Sequence, residues 1–170
     1  MQFSSSLLMK VILCLLLLCG SRLVFAAPST PTSDFVDRGD GTVTHKITGL
    51  IWKRCAEGQT WEDNNCIGTT ILYTYDQAMK LVSNFALKNA WRLPSVDELE
   101  GIVERENNNP AINAEIFPNT LPTWFWSSSV NISAPYGAWN VSFFNGRNHF
   151  DLKPSKFAVR LVRVGVLDRR

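Results

Sequence analysis

The spacing of apolar residues changes three times along this chain. From Phe35 to Trp52 the runs are short and β-rich: Phe35-Val36-Asp37, Thr42-Val43-Thr44-His45 and Leu50-Ile51-Trp52. Short runs of β-branched and aromatic residues between glycines predict strands. Asp40-Gly41 predicts a two-residue hairpin, because both central positions of a type I′ turn need positive φ. From Thr74 the spacing lengthens. Thr74-Tyr75-Asp76-Gln77 has the capping-box form, and Ala78, Leu81, Val82 and Phe85 follow on one helical face. The pattern predicts a helix over Tyr75 to Leu87. A second box, Ser95-Val96-Asp97-Glu98, predicts another helix with an apolar stripe of Val96, Leu99, Ile102 and Val103. Asp97, Glu98, Glu100, Glu104 and Glu106 then form a solvated acidic face with good dipole placement. Asn107 to Pro110 ends that helix, and Pro110 to Pro122 is turn-rich.

The remainder returns to strands at Trp124 to Ser128, Ala138 to Phe144 and Phe157 to Val164. Asn145-Gly146 is a second hairpin signal, leading into His149-Phe150-Asp151-Leu152. Strands, two helices, then strands predict an α+β fold with a largely antiparallel sheet.

The first 26 residues stand outside this pattern. Lys10 precedes the apolar run Val11 to Leu18, and Val24 and Ala26 fit the small-residue rule for cleavage after Ala26. A spanning helix needs about 20 apolar residues, and Gly20, Ser21 and Arg22 interrupt too early. The expected organisation is a signal peptide at 1–26, a mobile Pro/Thr/Ser linker at 27–34, one domain at 35–166 and a tail at 167–170. The protein is expected to be exported, to the periplasm or the cell surface, with no membrane span after cleavage.

Export bears on charge and cysteine chemistry. Without Lys10 and Arg22, 15 of the 17 basic residues face 15 acidic ones, so no global field draws the domain to nucleic acid. Arg147, Lys153, Lys156, Arg160, Arg163, Arg169 and Arg170 still crowd the last quarter, as a local anion-binding face or as outward strand residues plus a frayed tail. Cys55 and Cys66 alone survive cleavage and are expected to form a disulfide. The segment between them is polar and loop-like. A metal site lacks a second ligand pair, since His45 and His149 have no spacing that ties them to the cysteines.

Other chemistry fails on spacing. In Asp37–Thr44, DRGDGTVT, an EF-hand loop would need oxygen-bearing side chains where Val36 and Arg38 stand. The hairpin accounts for the tripeptide Arg38-Gly39-Asp40 without an integrin role. Ser127-Ser128-Ser129 would need a base to become a nucleophile, and only His45 or His149 is available. The serines are expected to satisfy backbone groups at a strand end. No catalytic residue, metal or cofactor is assigned, and the protein is not expected to be an enzyme. Trp52, Trp91 and Trp126 are expected in the core, and Trp61, Trp124 and Trp139 in or beside loops.

GDGTVT (39–44), TGLIWKRC (48–55), GQTW (58–61), WRLPSVDEL (91–99), FP (117–118), FWSSS (125–129) and VRLVR (159–163) occur in this order. Together they resemble the DUF1566 family, named for the C-terminal domain of a Legionella collagen-like adhesin. The resemblance covers nearly the whole mature chain. It implies a C-type-lectin-like fold, two helices packed on a small twisted antiparallel sheet, in a superfamily that includes sulfatase-modifying-factor-like domains. It transfers no catalytic residues. Trp139-Asn140 is followed by Val141, so the third calcium ligand of the lectin relatives is missing. No cysteine follows Cys66, which argues against formylglycine-generating chemistry. The resemblance implies an adhesin-type module that recognises a glycan, sulfated polysaccharide among them, or another surface polymer. The residues expected to bind are Trp124, Trp139, Asn140, Arg147, Lys153, Lys156 and Arg160. The alternative is a structural or assembly module that meets an envelope protein.

Overall fold

The computed structural model describes residues 27–83 and 91–165. The expected leader, the expected end of the first helix beyond Ser83 and the tail lie outside the described residues. The described residues are β-rich, with three antiparallel sheets, two α-helices and a short 3-10 helix at Thr32–Asp34. β1 (Phe35–Asp37), β2 (Thr42–His45), β3 (Leu50–Lys53) and β9 (Val162–Val164) form a four-stranded sheet in the order β1-β2-β3-β9. β4 (Gln59–Glu62) and β5 (Asn65–Gly68) form a separate hairpin. β6 (Trp124–Trp126), β7 (Gly137–Ser142) and β8 (Asn148–Leu152) form the third sheet. The helices are α1 (Tyr75–Ser83) and α2 (Val96–Glu100). No helix among the described residues is long and apolar enough to cross a membrane.

Both predicted capping boxes form. Thr74 N–H donates to Gln77 Oε1 and Gln77 N–H to Thr74 Oγ1, at 2.9 and 3.3 Å. Ser95 and Glu98 make the same reciprocal pair. The second helix is shorter than its apolar stripe predicts. It stops at Gly101, and Ile102 and Val103 reach the core from a turn rather than from a helical face.

The turns differ from expectation in an instructive way. The β1–β2 connection is a three-residue loop: Arg38 N–H bonds Thr42 O, and the two glycines flanking Asp40 take positive φ of 75° and 78°. The two-residue turn with both centres at positive φ occurs instead at Asp63-Asn64, φ 49° and 59°, between the paired residues Glu62 and Asn65. The polar segment between the cysteines is therefore a hairpin, not a loop. Cys55 and Cys66 are bonded, with Cα atoms 5.3 Å apart, which ties this hairpin to the end of β3. In the chain-entropy account, a bridge across 11 residues contributes about 3 kcal/mol. Reduction is therefore expected to lower Tm by roughly 10 °C for a domain of this size, read by thermal unfolding with and without reductant. An unchanged Tm would show that the hairpin holds its place without the bond.

The third sheet is covered on both faces. Phe125 and Val141 pack with Val43, Trp52 and Val162 of the first sheet, with Leu99 of α2 and with Ile112 and Phe117. Trp126 and Ala138 face the other way and pack with Tyr75 and Ala78 of α1 and with Leu93, Val159 and Leu161. Trp52 and Trp126 are core residues as expected.

Two segments correct the sequence reading. The supposed mobile linker is docked. Ser29 and Thr30 each donate a backbone N–H and a hydroxyl to the Glu104 carboxylate at 2.8–2.9 Å, and Glu106 N–H adds a fifth bond at 3.1 Å. Asn113 clamps the same stretch through Thr30 O and Thr32 Oγ1. Glu104 is thus not on a solvated face; it is 2% exposed. Burial pushes its carboxyl up, but the donors from Ser29, Thr30 and Glu106 outweigh that and hold it down at about 2.

Candidate functional site

The residues expected to bind are not gathered in one place. Arg160 is wholly buried. Its Nη1 donates to Lys53 O at 3.0 Å and to Arg54 O, and its Nη2 to Thr120 Oγ1 at 2.7 Å. The guanidinium also lies 4.8 Å from the Phe117 ring centroid and 5.8 Å from that of Phe125. It is a core cation and not a surface anion contact, which corrects its expected role. Burial pushes it down to about 9, still charged at neutral pH. Asn140 is also fully buried, with Nδ2 bonded to Asp151 Oδ2 at 3.2 Å, so it cannot meet a ligand as placed.

Trp124 and Trp139 are both half-buried, but they lie on opposite faces of the third sheet. Trp124 pairs with Ser142, and Trp139 is three positions before Ser142 on the same strand. Trp124 faces His149 and Phe157, whereas Trp139 meets Phe150 edge to face at 5.6 Å. Arg147 precedes β8 and Lys153 follows it, so at 3.3 Å per residue they stand about 20 Å apart. Lys153 sits over the Tyr75 ring at 5.1 Å. Lys156 lines a groove beside α1 with Ile71, Leu72, Tyr73 and Leu81. No common basic face emerges from these four residues.

The residues that do converge are a different set. A cleft of about 460 Å3 opens on the outer face of the first sheet, lined by Trp61, Trp91, Lys53, Arg163, Asp40 and Gln59. Strand register explains the floor. Arg163 on β9 pairs with Ile51 on β3, and Lys53 pairs with Thr42, so all four side chains point away from the core that Trp52 and Val162 fill. One wall is Trp91, brought to the sheet by the bridge between Arg92 and Val162. Arg92 is in turn fixed by a bidentate pair with Glu98 at 2.6 and 2.7 Å. That bond holds the Glu98 carboxyl below its ordinary range against the opposing effect of burial.

The other wall is Trp61, on the disulfide-tethered hairpin. Buried Arg54 stacks on its ring at 4.1 Å while bonding Ile116 O, Asp37 Oδ2 and Glu115 O, each at 2.8 Å. Gly41 passes the same indole so closely that a Cβ would lie 2.7 Å from it. Both walls are therefore held before any ligand arrives. Trp91 is half-buried: it packs against the core cluster that holds Leu93 and Trp126, and it also forms this wall.

The serines behave as expected. Ser127 Oγ donates to Trp139 O, Ser128 Oγ to Pro94 O, and Ser129 Oγ accepts from Val96 N–H. His45 is buried, stacked on Phe35 at 4.9 Å and bonded to Thr48 Oγ1 through Nδ1 at 3.0 Å. Burial pushes it below its ordinary pKa, against the pull of Asp34.

The cleft was partly legible. Trp61 lies in GQTW, Trp91 in WRLP, Lys53 in TGLIWKRC, Asp40 in GDGTVT and Arg163 in VRLVR, so the segments that carry the family resemblance meet at one cleft. No curated protein and no solved structure matches this chain. The model of the Lcl C-terminal domain, the C-terminal domain of the Legionella collagen-like protein, matches residues 41–163, more than half of the 170. A match across strands β2 to β9 and both helices places this chain in the Lcl C-terminal domain family, an adhesin-associated type of module.

Proposed function

We propose that this chain is an exported, non-catalytic binding module that recognises a glycan or another surface polymer in adhesion. We also propose a C-type-lectin-like arrangement, in keeping with its small antiparallel sheets and paired helices. The single observation that carries the functional reading is the cleft between Trp61 and Trp91. Two indoles held in place over a floor with hydrogen-bonding and charged groups suit a hydroxylated ring with apolar and polar faces. The docked N-terminal segment, the disulfide and the family membership support an exported domain at the periplasm or cell surface.

The test is a glycan array on the oxidised domain, with Trp61→Ala and Trp91→Ala beside the parent. Each truncation is expected to weaken binding roughly tenfold or more, as for aromatic anchors elsewhere. Trp124→Ala is expected to leave it within about twofold, the ordinary scatter for residues outside a contact. Loss of binding in Trp124→Ala with both cleft variants intact would move the site to the third sheet.

A second reading, a structural or assembly module of an envelope complex, is favoured by one observation. Ile132 (94% exposed), Tyr136 (63%) and Leu152 (56%) leave apolar surface at the far end of β7 and β8. A blank array together with a stoichiometric complex with a purified envelope protein would favour it.

A further inference from the structure

Arg163 is an unpaired guanidinium. Its Nε is buried with no hydrogen-bond partner, and none of the four ion pairs among the described residues includes it. Its one charge-related contact is the Trp91 ring, 4.9 Å from the guanidinium carbon. A stacked guanidinium keeps its outer edge free, and that edge is a two-donor fork suited to a planar two-oxygen acceptor.

The other charges in the cleft limit what the acceptor can be. Lys53 also lies over Trp91, at 5.6 Å, but its ammonium is bound to Glu57 at 2.8 Å. Asp40 Oδ1 accepts from the Thr42 N–H and hydroxyl, which leaves Oδ2 to accept from a hydroxyl entering the cleft. Lys53 is paired with Glu57, which leaves Arg163 as the cation lining the cleft that no carboxylate among the described residues pairs. One negative charge is matched by Arg163; a second or third meets Asp40 and Glu57 with no free cation to offset them.

We propose that the cleft binds a singly charged, carboxylate-bearing pyranoside, with its carboxylate on Arg163, its ring against the indoles and a hydroxyl on Asp40. This rests on the glycan reading above and narrows it to uronate-type sugars in preference to neutral or multiply sulfated ones.

The experiment is calorimetric titration of the oxidised domain with methyl galacturonoside, methyl galactoside and a disulfated galactoside. The uronate is expected to bind roughly ten- to a hundredfold more tightly than either of the others, the range of one charge-assisted hydrogen-bonded contact. Arg163→Gln is expected to remove that preference, and Arg163→Lys to keep only part of it, because the charge stays and the fork is lost. Equal binding of uronate and neutral sugar overturns the proposal and leaves the glycan reading standing, as does preference for the disulfated sugar. The parent-protein comparison needs no variant, so a misfolded Arg163→Gln does not blunt it. If none of the three sugars binds and the array is blank, the glycan reading falls with it.

Discussion

Arg160→Ala is expected to cost about 3–4 kcal/mol, a large loss for a residue outside the apolar core set. Among the described residues the side chain has no carboxylate partner; its charge is held by the Lys53 and Arg54 carbonyls, the Thr120 hydroxyl and two phenylalanine rings. Truncation leaves a void and removes the donors of the Lys53 and Arg54 carbonyls and the Thr120 hydroxyl. The Arg54 carbonyl belongs to a residue that also stacks on Trp61, so the damage reaches the wall of the cleft. Arg160→Met separates the contributions. It restores most of the volume but none of the donors, and is expected to recover about half the loss. Urea unfolding of the parent and both variants reads this directly. A midpoint shift below about 1 kcal/mol for Arg160→Ala would mean that the carbonyls find other donors.

Glu104→Gln is the second large effect, and its mark is pH dependence. The folded carboxyl titrates at about 2 against an ordinary 4.5. Its contribution is therefore fully present above pH 4.5 and is lost as pH falls from 4.5 towards 2. A depression of that size corresponds to something on the order of 3 kcal/mol. The amide supplies one acceptor oxygen where five donors converge, and its NH2 faces donors from Ser29 or Thr30. The variant is expected to be about 2–3 kcal/mol less stable at pH 7 and nearly equal to the parent below about pH 2. An equal deficit at both pH values would locate the loss in packing rather than in the carboxylate.

These two residues also show where reading the sequence stops. Local signals carried well: both capping boxes, the serine run, the disulfide and the pairing of β7 with β8 depend on residues close in the chain or on composition. Glu104 sits among acidic neighbours in the sequence, whereas its partners, Ser29 and Thr30, are 75 and 74 residues away. Arg160 stands between Val159 and Leu161, so strand alternation turns it outward. In the fold this stretch is not a regular strand, and all three residues are buried. The hairpin signal at Asp40-Gly41 gave the right pairing and the wrong turn, because Gly39 supplied a second residue able to take positive φ. The cleft was hidden differently. Trp91 and Arg163 each have an ordinary packing explanation alone, and only the bridge between Arg92 and Val162 sets them side by side.

The order β1-β2-β3-β9, antiparallel throughout, has a mechanical consequence. β1 begins and β9 ends at the same end of the sheet, on its two borders, about 14 Å apart at 4.8 Å per strand. Tension applied between those two ends peels the border strands away in series, a few hydrogen bonds at a time. Tension between one end and an object seated at Lys53 and Arg163 is shared across neighbouring strands instead. A body tethered by one end and gripping at that cleft carries its load along the stronger of the two directions.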